Sequence, residues 1–573
     1  MKRLSAILLA FVVSILAEPQ NRKLAADLRD IEPESTLDVI VQYKSHSEPI
    51  STEQRHLKIE SHGGRLKADL NRVIRGSSYR LPARALKQLA EDPDVLYISP
   101  DRTLNATLDY STAAVNASTA WQYGFTGSGM AVAVIDSGIS NHPDLKNGSG
   151  ALRVVYSQDF IGGGTDDHYG HGEHVAGIVA GNGASSTGSI DSRTFGGMAP
   201  AANIVNLRVL DQHGRGTDSA VIAAIQTAIN LKNRYNIRVI NLSLGRPIYE
   251  SYALDPLCQA VEAAWKAGIV VVVAAGNDGR NNSASTNGYG TIMAPGNDPY
   301  VITVGAMKTM GTYSRSDDLI ASYSSKGPTL IDHIVKPDLV APGNRVVSLL
   351  ASTATLPSTY PNNAVPLTYY QNTSSGQRSN MYFTLSGTSM ATPVVSGAAI
   401  VLLLQNSSLT PDQVKARLMK TAHKAFPGSS VAVDPVTGAS YSSQYDIFTI
   451  GAGYVDVAAA ISSQALAPSS YGSALSPTAY YDSRSASVYV KNTATSVAWG
   501  SSSTWSSAAV WGTTVFLGGT AAVWGTAAVW GTAAVWGTNT LSGFAAVWGT
   551  AAVWGTSTTD ATESTPITIT GEN

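Results

Sequence analysis

Cysteine is almost missing from this chain. Cys258 is the single thiol in 573 residues, so no disulfide can form within the chain and packing must hold the fold. Charge is also scarce, at 14% Asp, Glu, Lys and Arg with a net charge of −2. That balance gives no electrostatic reason to expect nucleic acid. The apolar run Leu4 to Leu16 is short for a membrane span, which needs ~20 residues. No comparable run without glycine or charge lies near the C-terminus, so no transmembrane segment is expected in the mature chain.

What is present divides the chain into four parts. Lys2 and Arg3 precede the apolar run, and Ala17 offers a small residue for cleavage. Residues 1–17 therefore read as a secretory signal, and the protein as secreted. Residues 18–110 are richer in Arg, Lys, Asp and Glu. There Leu37 to Tyr43 alternates like a strand, Glu53 to Ser61 suits a helix, Pro82 to Glu91 predicts a second helix, and Val95 to Ile98 a strand. A small α+β domain is the expected result. Residues 111–464 alternate strands with helices, the pattern of an α/β fold with a doubly wound, mostly parallel sheet. Strands are expected at Met130–Ile135, Ile204–Leu210, Arg238–Leu242, Ile269–Ala274 and Tyr300–Val304, and helices at His171–Ala180, Ser219–Arg234, Leu257–Ala267 and Val395–Leu404.

Chemistry gathers in this third part. Gly387-Thr388-Ser389-Met390-Ala391-Thr392-Pro393 places a serine between small residues at the mouth of an apolar helix, where backbone N–H groups and the positive dipole end favour an oxyanion. Pro393 suits a first turn. Alone, Ser389 is far more often just a helix cap. Met130 to Gly138 reads as a buried parallel strand that ends in Asp136, at the sheet edge where ligands bind. His168 to Gly177 carries three histidines, of which His171 alone has glycine on both sides. Asn277, after the apolar strand that ends in Ala274-Ala275-Gly276, would by itself be a turn residue.

Taken together, and in the order Asp, His, Ser, these blocks resemble the subtilisin-like serine proteases, or subtilases, over about Trp121 to Ile461. The resemblance implies that Asp136, His171 and Ser389 form a catalytic triad and that Asn277 donates to the oxyanion. It implies polypeptide substrates bound between two backbone strips, Ser243-Leu244-Gly245 and Gly214-Arg215-Gly216, by tolerant main-chain pairing. Gly288 would stand in the far wall of the first specificity pocket and leave it open to bulky apolar side chains. Asp218 has two readings, a helix N-terminal acid and a partner for a basic substrate residue. Residues 18–110 would be an inhibitory propeptide, an intramolecular partner whose last segment lies in the cleft and is cut between about Asp101 and Val115. The resemblance implies no cofactor for the chemistry. Asp144 matches a calcium ligand in some relatives, but the loop 182–196 does not preserve the rest of that site, so the metal stays unknown. Glu173 stands where threonine is usual. If its side chain faced the imidazole it would slightly raise that group's pKa. Residues 352–380 form a polar insertion, expected to rim the cleft.

Residues 465–573 are a low-complexity region with few charges. Ala-Ala-Val-Trp-Gly-Thr recurs, with tryptophans at 511, 524, 530, 536, 548 and 554. Six steps scatter side chains around a helix but return them to one face of a strand, so short strands or extended turns are expected. Every catalytic motif precedes Gln464, and removing the residues after it is expected to leave turnover intact. Two functions from different classes fit these features: a secreted, self-processing endopeptidase, and an inactive surface protein that binds through its tryptophan repeats.

Overall fold

Alternation along Leu37 to Tyr43 commits Val39 and Val41 to one face and Ile40 to the other. In the computed structural model these residues lie in the strand Thr36–Tyr43. It is central in an antiparallel sheet whose strand order is Arg65–Asp69, Gly76–Pro82, Thr36–Tyr43, Val95–Pro100. The helices Thr52–Ser61 and Ala85–Glu91 accompany it. Ser51 starts the first, accepting from the Gln54 amide while Gln54 reaches back, a reciprocal cap. Val39, Val41, Tyr79, Leu81, Leu86 and Ile98 form a core of their own. From the opposite side Ile40, Leu70 and Ile74 join the core of the larger body, against which the turn Asn71–Ile74 packs at helix Pro256–Lys266. The structure describes residues 23–44 and 51–101 with short gaps, the strand 103–106, residues 114–482 apart from 284–285 and 435–436, the strand 487–491, and residues 569, 571 and 572. Residues 1–17, expected to be a signal, and the tryptophan repeats lie outside the described residues.

The larger body is built on an eight-stranded sheet. Its order is Leu319–Ile320, Ile302–Lys308, Val270–Ala274, Ile237–Leu242, Ala131–Asp136, Asn203–Arg208, Val154–Asp159, with Leu339–Pro342 also paired to Ile302–Lys308. Every pair runs parallel except the short Leu319–Ile320. The central strands are buried along their whole length, as a sheet covered on both faces requires. Helices Gly172–Ala180 and Thr388–Gln405 pack together, as do Asp218–Tyr235 and Pro256–Lys266. Thr388–Gln405 is long and apolar enough to cross a membrane, yet it is the buried core helix of this body.

The packed body does not stop at Gln464. Ala467, Ala474 and Ala479 join the main core. The Ala474 amide donates to Asp412 Oδ1 (2.8 Å) and the Val335 amide to the Pro477 carbonyl (2.8 Å). Buried Lys415 donates to Ser476 Oγ at 2.8 Å. Charged groups on helix Pro411–Thr421 thus find partners in residues 472–476, which moves the edge of the folded body beyond the expected boundary.

Candidate active site

The helix that carries Ser389 begins earlier than expected. Gly387 is its cap, Thr388 its first residue and Ser389 its second. Pro393 therefore sits inside the helix rather than in its first turn. A proline there has no N–H to give to the carbonyl four residues back, and that carbonyl belongs to Ser389. Ser243 Oγ takes the vacant place, donating to the Ser389 carbonyl at 2.5 Å. Ser243 is held in turn by Asn241 Nδ2 (2.9 Å), whose Oδ1 accepts from Ser396. A strip expected to bind substrate is thus bolted to the helix that carries Ser389.

Asp136 ends its strand at the sheet's C-terminal edge, and His171 caps the helix Gly172–Ala180. His171 Nδ1 lies 2.5 Å from Asp136 Oδ1, both groups buried. The same oxygen accepts from the Ser137 amide at 2.7 Å. Glycine at 172 is a matter of space: a β-carbon there would stand 2.3 Å from the Gly138 carbonyl oxygen. His168 lies in the preceding loop with Nε2 3.2 Å from the Gly163 carbonyl. His174 is buried with Nε2 3.0 Å from the Phe383 carbonyl, and burial pulls its pKa down to about 3, so it stays neutral. Of the three histidines, His171 is the one set against Asp136.

Asp167 was not singled out from the sequence, where one acid in a polar loop reads as a turn residue. Its carboxylate accepts from the amides of Tyr169 (3.0 Å), Gly170 (2.7 Å) and Glu173 (2.8 Å), and from Ser137 Oγ (2.8 Å). Ser137 Oγ also accepts from the Gly172 amide at 2.8 Å. One acid thereby ties the Asp136 turn to the His171 turn. Glu173 is buried, accepts from the Ser140 amide, and burial holds its carboxyl far above the usual range.

Asn277 Oδ1 accepts from the Thr388 amide (2.9 Å) and Thr388 Oγ1 (3.2 Å). Two donors from the residue before Ser389 fix the carboxamide, so it donates from Nδ2. The expected substrate strips are two short strands, Leu244–Gly245 and Arg215–Thr217, and between them runs Thr103–Ala106, antiparallel to both. Asn105 faces Gly245 on one side and Arg215 on the other, and Leu104 faces Gly216. Gly214 precedes the paired strand and holds φ +73° against the Tyr169 ring. Gly288 (φ +80°) lies so close to Gly279 that a β-carbon would stand 1.9 Å from its carbonyl oxygen. This backbone contact is reason enough for the glycine.

Two acids are already engaged. Asp218 is buried and takes Arg246 Nε at 3.0 Å, while Arg246 also grips Asp255; this use removes the reading of Asp218 as a partner for a basic substrate residue. Asp144 accepts from Tyr382 (2.6 Å) and from the Ser185 amide (2.8 Å). Among the described residues no three His, Cys, Asp or Glu side chains gather as a metal site. The insertion 352–380 is structured, and its Thr355 and Leu356 amides donate to the carbonyls of His168 (3.1 Å) and Tyr169 (2.9 Å).

A carboxylate against an imidazole, and a serine in the first turn of a buried helix on a parallel α/β sheet, are parts that a serine hydrolase uses. Comparison with known proteins gives the particular family. The model of the subtilase family, Peptidase S8, matches residues 127–451, and the chain belongs to that family as a subtilisin-like serine endopeptidase. It is 38% identical to serine protease AprX of Bacillus subtilis over 371 residues, 63% of this chain and 76% of that one. It is 34% identical to subtilisin E of the same species over 387 residues, 67% and 84% of the two chains. A thermostable alkaline protease of Halalkalibacterium halodurans is 32% identical over 344 residues, 60% and 76%.

Proposed function

We propose that this chain is a secreted endopeptidase made as a self-inhibited precursor, with Asp136, His171 and Ser389 as its triad. His171 takes the proton of Ser389 Oγ as that oxygen attacks a peptide carbonyl, then gives it to the leaving amine. Asp136, fixed at Nδ1, holds the tautomer with Nε2 as acceptor and stabilises the imidazolium. Asn277 Nδ2 and the Ser389 amide receive the oxyanion. Water then releases the acyl group from Ser389 by the same proton route in reverse.

The observation that carries this reading is the strand Thr103–Ala106, paired on both edges with the expected substrate strips. Main-chain pairing of that kind is how an extended peptide substrate would be held. Residues 18–106 then serve as inhibitor, and the chain supplies its own first substrate. Val115 is already packed in the main core, with its carbonyl accepting from the Val457 amide at 3.0 Å. The cut accordingly falls between Ala106 and Ala114, a stretch outside the described residues. Tethering removes the need for a second molecule.

Ser389→Ala tests this. Expressed in a host without such proteases, the variant should keep residues 18–106 attached. The unsubstituted protein should yield a chain beginning between residues 107 and 114 and should be labelled at Ser389 by a sulfonyl fluoride. Identical N-termini by mass spectrometry would remove self-processing while leaving the peptidase. Absence of labelling after removal of the N-terminal residues would favour the inactive, repeat-binding alternative.

A further inference from the structure

Beyond the repeats, the chain returns to the body. Glu572 is buried although it is a carboxylate, and a buried charge persists only when donors meet it. They come from separate stretches of the catalytic body. Arg280 Nη2 donates at 2.8 Å and Lys308 Nζ lies at 3.2 Å. The Ser322 amide donates to both oxygens (3.1 and 3.2 Å), and the Ser322 hydroxyl donates as well. The backbone is gripped too: Asn344 exchanges two hydrogen bonds with Glu572, from its Nδ2 to the carbonyl (3.0 Å) and from the Glu572 amide to its Oδ1 (2.8 Å). Gly571 fits where a β-carbon would stand 2.6 Å from Arg345 Cγ and from Ser386 Oγ. Ile569 is buried in the main core, its carbonyl accepting from Asn363 Nδ2 at 2.5 Å.

We infer that Arg280, Lys308, Ser322 and Asn344 form a carboxylate-binding site on the catalytic body. Its ligand in this chain is Glu572, and its role is to anchor the far end of the repeat region. The site is built without the ligand's help, since Arg280 is oriented by Asp434 (2.7 Å) and by Ser322 Oγ (2.7 Å). The last described strand before the repeats is Ser487–Lys491, so described stretches flank the repeats on both sides. The same loops carry the chemistry: Arg280 stands three positions after Asn277, and Ser386 three before Ser389.

Neither this inference nor its test depends on the peptidase reading. In a Ser389→Ala background, to prevent self-digestion, a site for a sequence-specific protease is inserted after Thr538 and the full chain is nicked there. The fragment carrying residues 539–573 should stay with the body through gel filtration. With Glu572→Gln it should dissociate at least tenfold faster, and with Glu572→Arg it should elute separately. A synthetic peptide of residues 566–573 should displace the unsubstituted fragment, whereas the same peptide carrying Glu572→Gln should not. Loss of the fragment from the unsubstituted protein, or equal retention with Glu572→Arg, would overturn the inference.

Discussion

Asp446 takes hydrogen bonds from the Tyr289 hydroxyl and from the amides of Phe448 (2.8 Å) and Thr449 (3.0 Å), wholly inside the protein. Burial pushes its carboxyl up to about 6. A folded-state pKa above the unfolded one means the native state binds the proton more tightly. The resulting stability is full below about pH 4 and is lost as pH rises through about 6. A shift of about two units corresponds to about 3 kcal/mol. Asp446→Asn keeps an acceptor oxygen for the two amides, turns an Nδ2 donor toward the Tyr289 oxygen, and removes the titration. Denaturant unfolding of the Ser389→Ala protein at pH 4, 5 and 7 should show the Asn variant gaining on its parent by up to that amount across the window; parallel curves would refute it. Single residues were unevenly legible in the sequence. His171 stood out because its flanking glycines answer to a close approach of two turns. Asp167 did not, because it acts by collecting amides, and nothing in a lone acid announces how many amides will point at it. Pro393 was misplaced by a turn, and its use became visible only with the carbonyl it leaves for Ser243.

Elements were legible where burial dominates. The strand expected at Arg238–Leu242 is found as Ile237–Leu242, and that at Ile269–Ala274 as Val270–Ala274; both are rich in β-branched residues, with no polar face to confuse them. Val154–Asp159 was missed because it is a half-exposed outer strand that mixes polar with apolar residues, and Leu339–Pro342 because it is short and ends in proline. How elements meet was less visible. Helix Gly172–Ala180 abuts the turn after Asp136, and the bare Gly172 α-carbon is what lets them touch. In Gly172→Ala the new methyl would lie 2.3 Å from the Gly138 oxygen and 3.2 Å from the Ser137 amide nitrogen. Neither is a flexible side chain, so helix and strand end must separate by about an ångström. The Asp136–His171 bond should lengthen with them, and a misplacement of that size costs on the order of 10²-fold. Turnover of a small peptide should fall at least tenfold with little change in KM. A variant at parental turnover would show that the two elements slide without disturbing the imidazole.

At the scale of the whole molecule the question is where the catalytic body ends. Asp412, Lys415 and Asp338 are buried, and part of what satisfies them arrives after Gln464. Asp412 accepts from the amides of Gly472 (3.3 Å) and Ala474 (2.8 Å), Ser476 Oγ donates to Asp338 (2.5 Å), and Lys415 donates to Ser476. Tyr471 also stacks on Tyr300, with ring centres 4.7 Å apart. A chain ending at Gln464 would keep all the motifs of a peptidase but leave these ions short of partners. Leaving a buried donor or acceptor without its hydrogen-bond partner costs about 1–3 kcal/mol, and more for a charged group, a large share of a typical net stability of about 5–15 kcal/mol. A chain ending at Lys491 keeps those contacts and gives up only the repeats and the Glu572 anchor. The two truncations, made side by side with the N-terminal residues retained for folding, should therefore part company. The longer one should hydrolyse a small peptide at close to the full-length rate after maturation. The shorter one should melt several degrees lower or fail to accumulate. If both match the full chain in melting temperature and turnover, residues 465–479 are a passive cover, and the body ends where the catalytic motifs do.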